Sequence, residues 1–259
     1  MVDSGAHTIH NAKSKKGLNL DGYCRYLDAN AEYVEKYVML DVIKNEKETK
    51  RNYETMISRG YNPMYVFTEF DNDFSYVADA VKNNRHLCVA GGVSTKSDWM
   101  KHRYKKVFKL TNALIHGLGF VAYPAMYQVP LHSVDSSSWI QSCQVYGNIP
   151  IFDDGLKTCA YKDLLTGKKK FPNKLIKVLE QGKITPKLFL DRNSHRGQNS
   201  IGTFVSIYSY IEYQKYSKTN NLNLFLAVAN QNQLKQIMYI AEHYDKGSLT
   251  YDNFKKVLC

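Results

Sequence analysis

An α/β fold built on a parallel sheet is what this sequence predicts, and three observations predict it. Short apolar runs recur six times in the first 140 residues, within MVDSGA, YVMLDVI, MYVFTEF, LCVAGGV, IHGLGF and HSVDSSSW. Five of the six are followed by a polar or helical stretch that returns to the next run, which is the rhythm of strands alternating with helices. Polar or glycine positions close these runs, and in parallel sheets ligands gather at the carboxyl ends of the strands, where loops and side chains converge. Asp3, Asp41, Glu69, Gly91, Gly92 and Asp135 are therefore expected to share one mouth, which makes them a candidate active site.

The elements between the runs carry helical spacing. In LNLDGYCRYLDANAEYVEKY the apolar positions include Leu20, Tyr23 and Leu27. EKETKRNYETMISRG sets Tyr53, Met56 and Ile57 on one face and ends at Gly60, with Pro63 beyond it as a stop. DNDFSYVADAVKNN places Phe74, Val77, Ala78 and Val81 at i, i+3, i+4 and i+7, and SDWMKHRYKKVFKL offers Trp99, Tyr104, Val107 and Phe108. Such stripes are core faces. Four successive strand and helix units with right-handed crossovers make either a barrel or an open doubly wound sheet.

After Trp139 the character changes. Residues 140–172 read as short strands and turns punctuated by Gly147, Pro150 and Gly155, with a solvated basic stretch at Lys168 to Lys170. From about Pro172 helical patterns return in NKLIKVLEQG, SIGTFVSIYSYIEYQKYSK and NQLKQIMYIAEHY, the long middle one suited to packing on a barrel's flank. With no internal repeat or linker, residues 1–139 are expected to form the catalytic βα portion and 140–259 a mostly helical elaboration that completes and flanks it, in one compact domain. A strand takes about five residues to cross a sheet, yet only Met1 and Val2 precede Asp3. A barrel lacking its first strands is thus expected, whether a short form, the product of a late start or one half of a split protein.

Composition bounds the function. A hydrophobic fraction of 44% with 13% aromatics suffices for a core in 259 residues. The net charge of +11 points to an anionic partner, of which nucleic acid is the commonest. No run approaches the roughly 18–20 apolar residues that span a bilayer, and the N-terminus lacks the order of a signal peptide, so a cytoplasmic protein without a membrane partner is expected. Cys24, Cys88, Cys143, Cys159 and Cys259 are scattered without CxC or CxxC spacing. They read as reduced thiols, with no metal site, and Cys88 in LCVAGG reads as buried.

Taken together, DSGA at Asp3 to Ala6, LDVI at Leu40 to Ile43, the pair Gly91 and Gly92, HGLGF at His116 to Phe120 and SVDSSSW at Ser133 to Trp139 occur in an order that resembles the guanine transglycosylase family. The likeness is greatest to phage and bacterial members that install 7-deazaguanine bases in DNA, relatives of the tRNA-guanine transglycosylases, and it covers roughly residues 1–140. The resemblance implies a (β/α)8 barrel with Asp135 as the nucleophile that attacks the sugar C1′, expels guanine and holds the nucleic acid as a glycosyl intermediate. It implies Asp3 as the second carboxylate, handling the protons of the leaving and entering bases. Asp41 would hydrogen-bond the base edge and Gly91 and Gly92 would admit the base carbonyl, with Ser4, Gly5 and Gly117 completing the substrate-binding set. Departures accompany the likeness. The zinc-binding cysteine cluster of the tRNA branch is missing, so no metal or other cofactor is expected; Phe67, Thr68 and Glu69 stand where that branch has a base-reading glutamine; His7 replaces an aromatic residue.

Basic residues supply the rest of a nucleic-acid reading. Lys13, Lys15 and Lys16 follow DSGA, and Arg192, His195 and Arg196 lie in DRNSHRGQN, where either group would meet phosphates. Phosphate contacts make affinity fall steeply with salt, and the target base must leave the duplex to reach a barrel mouth. Expected partners are DNA, alternatively tRNA, together with a 7-deazaguanine base and a partner chain or second copy; a phage-encoded protein would act in the host cytoplasm. Plainer roles compete. DSG and DSSS are also turn sequences, Asp41 suits a helix N-cap, and His116 and His132 suit structural positions. Two other functions fit the same residues: an N-glycosidase that ends the reaction with water, and a catalytically silent barrel that binds nucleic acid or completes a partner.

Overall fold

A computed structural model describes residues 1–11, 19–68, 71, 73–82, 86–90, 105–120, 125–144, 147–191 and 199–258. It is a mixed α/β structure in two compact units, Met1–Phe120 with Gln128–His132 and Val121–Tyr127 with Ser133–Cys259.

In the first unit, parallel segments follow one another in chain order. Val2 lies beside Tyr37, and Val38 beside Met64, each as a single bridge rather than a full strand. Met64 leads directly into β1 (Tyr65–Phe67), which pairs with β2 (Leu87–Ala90), and β2 pairs with β3 (Ile115–Leu118). Tyr65, Val66 and Phe67 are all buried, as a parallel strand covered on both faces requires. Helices α1 (Ala6–Asn11), α2 (Leu20–Ala29), α3 (Glu46–Ser58), α4 (Ser75–Lys82) and α5 (105–110) alternate with these segments. Asn19 caps α2 by accepting the Gly22 N–H at 2.9 Å, and Asn45 caps α3 by accepting the Glu48 N–H at 3.1 Å. Glu46 and Glu48 in the first turn of α3 suit the positive end of its dipole. That helix ends where Gly60 turns to φ +86°, a conformation costly for any residue with a Cβ.

The expected faces are present with differences. Tyr23 and Leu27 of α2 and Tyr53 and Met56 of α3 are buried as the spacing predicts, joined by Cys24 and Thr49. On α4 the stripe is narrower, for Val77 is fully buried while Ala78 faces solvent. Trp99, Tyr104 and the side chain of Val81 lie outside the described residues. Rings from three elements form one layer: Tyr53 meets Tyr65 edge-on at 5.0 Å, Tyr65 stacks on Tyr76 at 5.2 Å, and Phe67 meets Phe74 at 5.0 Å.

The second unit joins β4 (Ser133–Ser136) to α6 (Ser138–Gln144), an antiparallel hairpin of β5 (Asn148–Phe152) and β6 (Leu156–Ala160), α7 (Tyr161–Leu165), α8 (Asn173–Gln181), α9 (Pro186–Leu190), α10 (Ile201–Thr219), β7 (Asn223–Leu226), α11 (Gln231–Tyr244) and α12 (Tyr251–Lys256). Strands β4 and β7 run parallel with Asp135 opposite Phe225. The stretch expected as strands and turns from residue 140 thus also holds helices α6 and α7, and β7, α9 and α12 were not predicted. Helix α10 does not lie on a flank. Every residue from Ile201 to Ile211 is buried, and the helix packs on α6, α8, β5, β7, α11 and α12. A helix without a wet face belongs at a centre. Its buried Ser206 hydroxyl donates to the Trp139 carbonyl, and Ser200 caps it by accepting the Thr203 N–H. Among the described residues no helix is long and apolar enough to cross a membrane.

Candidate functional site

Asp41 follows the parallel segment that Val38 joins to Met64. The residues before it, Val38, Met39 and Leu40, are buried, and Tyr23 of α2 donates its hydroxyl to the Val38 carbonyl at 2.7 Å. On either side of Asp41 the backbone is clamped by α3. Asn52 donates to the Leu40 carbonyl at 3.0 Å, while the Thr49 hydroxyl accepts the Val42 N–H at 2.8 Å and donates to the Val42 carbonyl at 3.2 Å. Thr49 and Asn52 are three residues apart, so one helical face supplies all three bonds. The N-cap role open to Asp41 is filled instead by Asn45, which leaves the carboxylate for other work.

Electrostatically, Asp41 is tuned. Burial pushes its carboxyl up to about 6, assisted by the charges of Asp3 and Asp71 and opposed by hydrogen bonds from backbone and from Ser4. The Ser4 hydroxyl donates to Asp41 Oδ1 at 3.5 Å and accepts the Ala6 N–H at 3.4 Å, so it joins the DSGA turn to this carboxyl. Gly5 holds φ +74°, the left-handed conformation that lets α1 start immediately after the turn. Asp3 itself is exposed. The structure thus brings together Asp3, Ser4, Gly5 and Asp41 of the expected set.

Sequence reading missed Asp71. The sequence points to Glu69 as the polar group after the third run and to DND as the start of a helix. In the structure Asp73 serves the helix, accepting the Ser75 N–H at 2.9 Å, and Asp71 turns inward at 1% exposure. Asp71 Oδ2 accepts the Thr68 N–H at 2.5 Å, and Oδ1 has no hydrogen-bond partner among the described residues. Burial raises its carboxyl above the usual range, against the Thr68 bond. An unsatisfied buried acceptor is costly, and a bound donor or a proton relieves it. Asp3, Asp41 and Asp71 follow three successive parallel segments, the positions at which such sheets carry their chemistry.

Asp41 opens on a cleft of about 460 Å³ shared with His10, Asn19, Asp21, Asn52 and Arg59. That volume falls in the range of small-molecule sites, roughly 300–1,000 Å³. The Arg59 guanidinium is held by Asp21 at 2.7 Å, which pairs these two charges of the rim. Among the described residues no group of three or more His, Cys, Asp or Glu is placed to hold a metal ion.

Gly117 is buried in β3 opposite Val89, and His116 beside it is buried opposite Cys88, a packing position. His132 is exposed. Asp135 lies in the second unit, within β4 rather than beyond its end, and is partly exposed. The turn after it is made by Ser136, whose hydroxyl accepts the Ser138 N–H at 3.0 Å. Gly91, Gly92, Glu69, Lys13, Lys15, Lys16, Arg192, His195 and Arg196 lie outside the described residues. Compared with protein families, with curated proteins and with solved structures, the chain finds no match in any of the three.

Proposed function

We propose that this protein is a base-exchanging transglycosylase that replaces guanine in DNA, or in tRNA, by a 7-deazaguanine base through a covalent Asp135 adduct, on a (β/α) barrel. The observation that carries the reading is the Asp41 carboxyl: clamped on both sides by α3, raised to about 6 by burial and set beside Asp3 and Asp71 at the ends of parallel segments. A carboxylate so held accepts paired N–H donors such as those on the edge of guanine, and its protonated form donates to a carbonyl. Parallel segments that succeed one another in chain order, with no reversal, favour a singly wound barrel over the doubly wound sheet, whose order reverses at its switch point. Cleaving an N-glycosidic bond passes through an oxocarbenium-like state, which one carboxylate traps while another manages protons. In this division Asp135 traps the sugar, Asp3 moves the protons, Ser4, Gly5, Asp41 and Gly117 shape the base pocket, and Asp71 offers its unpartnered oxygen to the base.

The test is to incubate the protein with duplex DNA, and separately with tRNA, in the presence of a 7-deazaguanine base, and to read covalent adduct by denaturing gel and intact mass and exchange by labelled guanine. Adduct and exchange are expected with one polymer, both lost in Asp135→Asn. Abasic sites without exchange would replace the reading with an N-glycosidase. Neither product with either polymer would remove the enzyme reading and leave a binding protein.

A further inference from the structure

The charge of the chain is not spread evenly. Residues 157–187 hold nine lysines and no arginine against two carboxylates, Asp163 and Glu180, so this segment carries +7 of the net +11. All of it belongs to the second unit. The fold gathers these lysines. Tyr161 at the start of α7, Phe171 after the Lys168 to Lys170 stretch and Phe189 in α9 form one aromatic knot. Phe189 is fully buried, with ring centroids 6.0 Å from Tyr161 and 5.4 Å from Phe171. The Tyr161 hydroxyl closes the knot by donating to the Leu190 carbonyl at 2.7 Å. Lys162 and Lys170 each adjoin a ring of the knot in sequence, and Lys187 lies two residues from Phe189. Three separate stretches that carry exposed lysines are therefore tied to one aromatic centre.

Four of the nine lysines have an acidic partner. Lys157 pairs with Asp153, Lys174 with Glu212, and Lys168 and Lys169 share Asp163. Lys162, Lys170, Lys177, Lys183 and Lys187 are without an ion pair among the described residues, and all five are exposed. Uncompensated like charges on a surface repel one another, a cost that a bound polyanion removes. Lysine is a point charge on a flexible stem and lacks the planar fork with which arginine reads a base edge. A surface of lysine alone suits phosphates irrespective of sequence.

We propose that the lobe formed by α7, α8, α9 and the loops between them grips the sugar-phosphate backbone of a nucleic acid and positions it without reading its sequence. The proposal rests on a nucleic-acid substrate but not on base exchange, so the two fail separately. It is tested on the full chain with the variant Lys162→Gln, Lys170→Gln, Lys187→Gln, using fluorescent 30-base-pair duplexes of two unrelated sequences and a tRNA, titrated across salt. Each lost phosphate contact removes about 0.9 from the slope of log affinity against log salt on duplex DNA. The triple variant is expected to bind both duplexes about tenfold or more weakly at 0.1 M salt, with the slope reduced by about 2 to 3 and an unchanged melting temperature. The control Lys218→Gln, Lys235→Gln, on α10 and α11, is expected to leave affinity and slope in place. An unaltered slope in the triple variant, an equal loss in the control, or binding to phosphatidylserine vesicles but to no nucleic acid would each overturn the proposal. Exchange activity is read in the same samples. Binding that depends on the lobe without exchange would retain the grip and reject the transglycosylase.

Discussion

The two units place their charged groups in opposite ways. In the first, Asp41 and Asp71 are drawn inward after parallel segments, and the backbone around Asp41 is fixed by side chains of α3. In the second, α10 is buried on every side from Ile201 to Ile211 with only hydroxyls as the polar groups of that stretch, and the excess charge stands outside on a lobe of lysines. Inward carboxylates cost stability and are held by a scaffold, whereas outward ammonium groups cost little and need only be gathered. The first arrangement fits chemistry on a small group and the second fits holding a long polyanion.

The comparison is broken most forcefully at the centre of the second unit. Phe204 of α10 is fully buried and meets Phe254 at 5.3 Å and Tyr251 at 5.8 Å. Truncating such a ring removes its burial and leaves a cavity, so Phe204→Ala is expected to cost about 3–5 kcal/mol, read by denaturant unfolding. A loss under 1 kcal/mol would mean that α10 is not the core of its unit. In the first unit the telling change is smaller. Thr49→Val keeps the shape but removes the hydroxyl that serves both the N–H and the carbonyl of Val42. About 2 kcal/mol is expected from the unsatisfied backbone groups, with weaker binding of the proposed 7-deazaguanine ligand if Asp41 shifts. Equal ligand affinity in wild type and Thr49→Val would show that the clamp does not position Asp41.

How much of this was readable beforehand depends on where the signal is carried. The alternation of apolar runs and helical stripes survives in the first unit because each helix buries one face, as Tyr53 and Met56 of α3 do. The place of Asp41 after a buried run was readable from YVML, while its freedom from the N-cap role that the same pattern offered shows only where Asn45 takes that role. Asp71 was not, since the neighbouring Asp73 supplies the turn that DND advertises and only the folded chain shows which of the two turns inward. Strand β7 was hidden for another reason. NLFL is too short for alternation to show, and its place is fixed by pairing with β4, far away in sequence. In α10 the recurrent Ser, Thr and Tyr conceal a core helix, because hydrogen bonds such as Ser206 to the Trp139 carbonyl make those groups tolerable inside.

The smallest expected effect is the most specific to Asp41. Its carboxyl titrates near 6 in the fold and near the ordinary aspartate value when unfolded, chiefly because burial disfavours the charge. Between about pH 4 and 6 the folded state therefore binds more protons than the unfolded one, and linkage makes stability fall as pH rises through that window. Below the unfolded value the contribution is fully present; above the folded value it is gone. Asp41→Asn removes the charge, preserves the shape and retains an oxygen to accept from Ser4. The variant is expected to be more stable than wild type by about 1 kcal/mol at pH 7.5, with the difference shrinking toward zero by pH 4, read as melting temperature across pH. An equal offset at both pH values would mean that the effect is one of packing, and that burial does not hold the Asp41 carboxyl near 6.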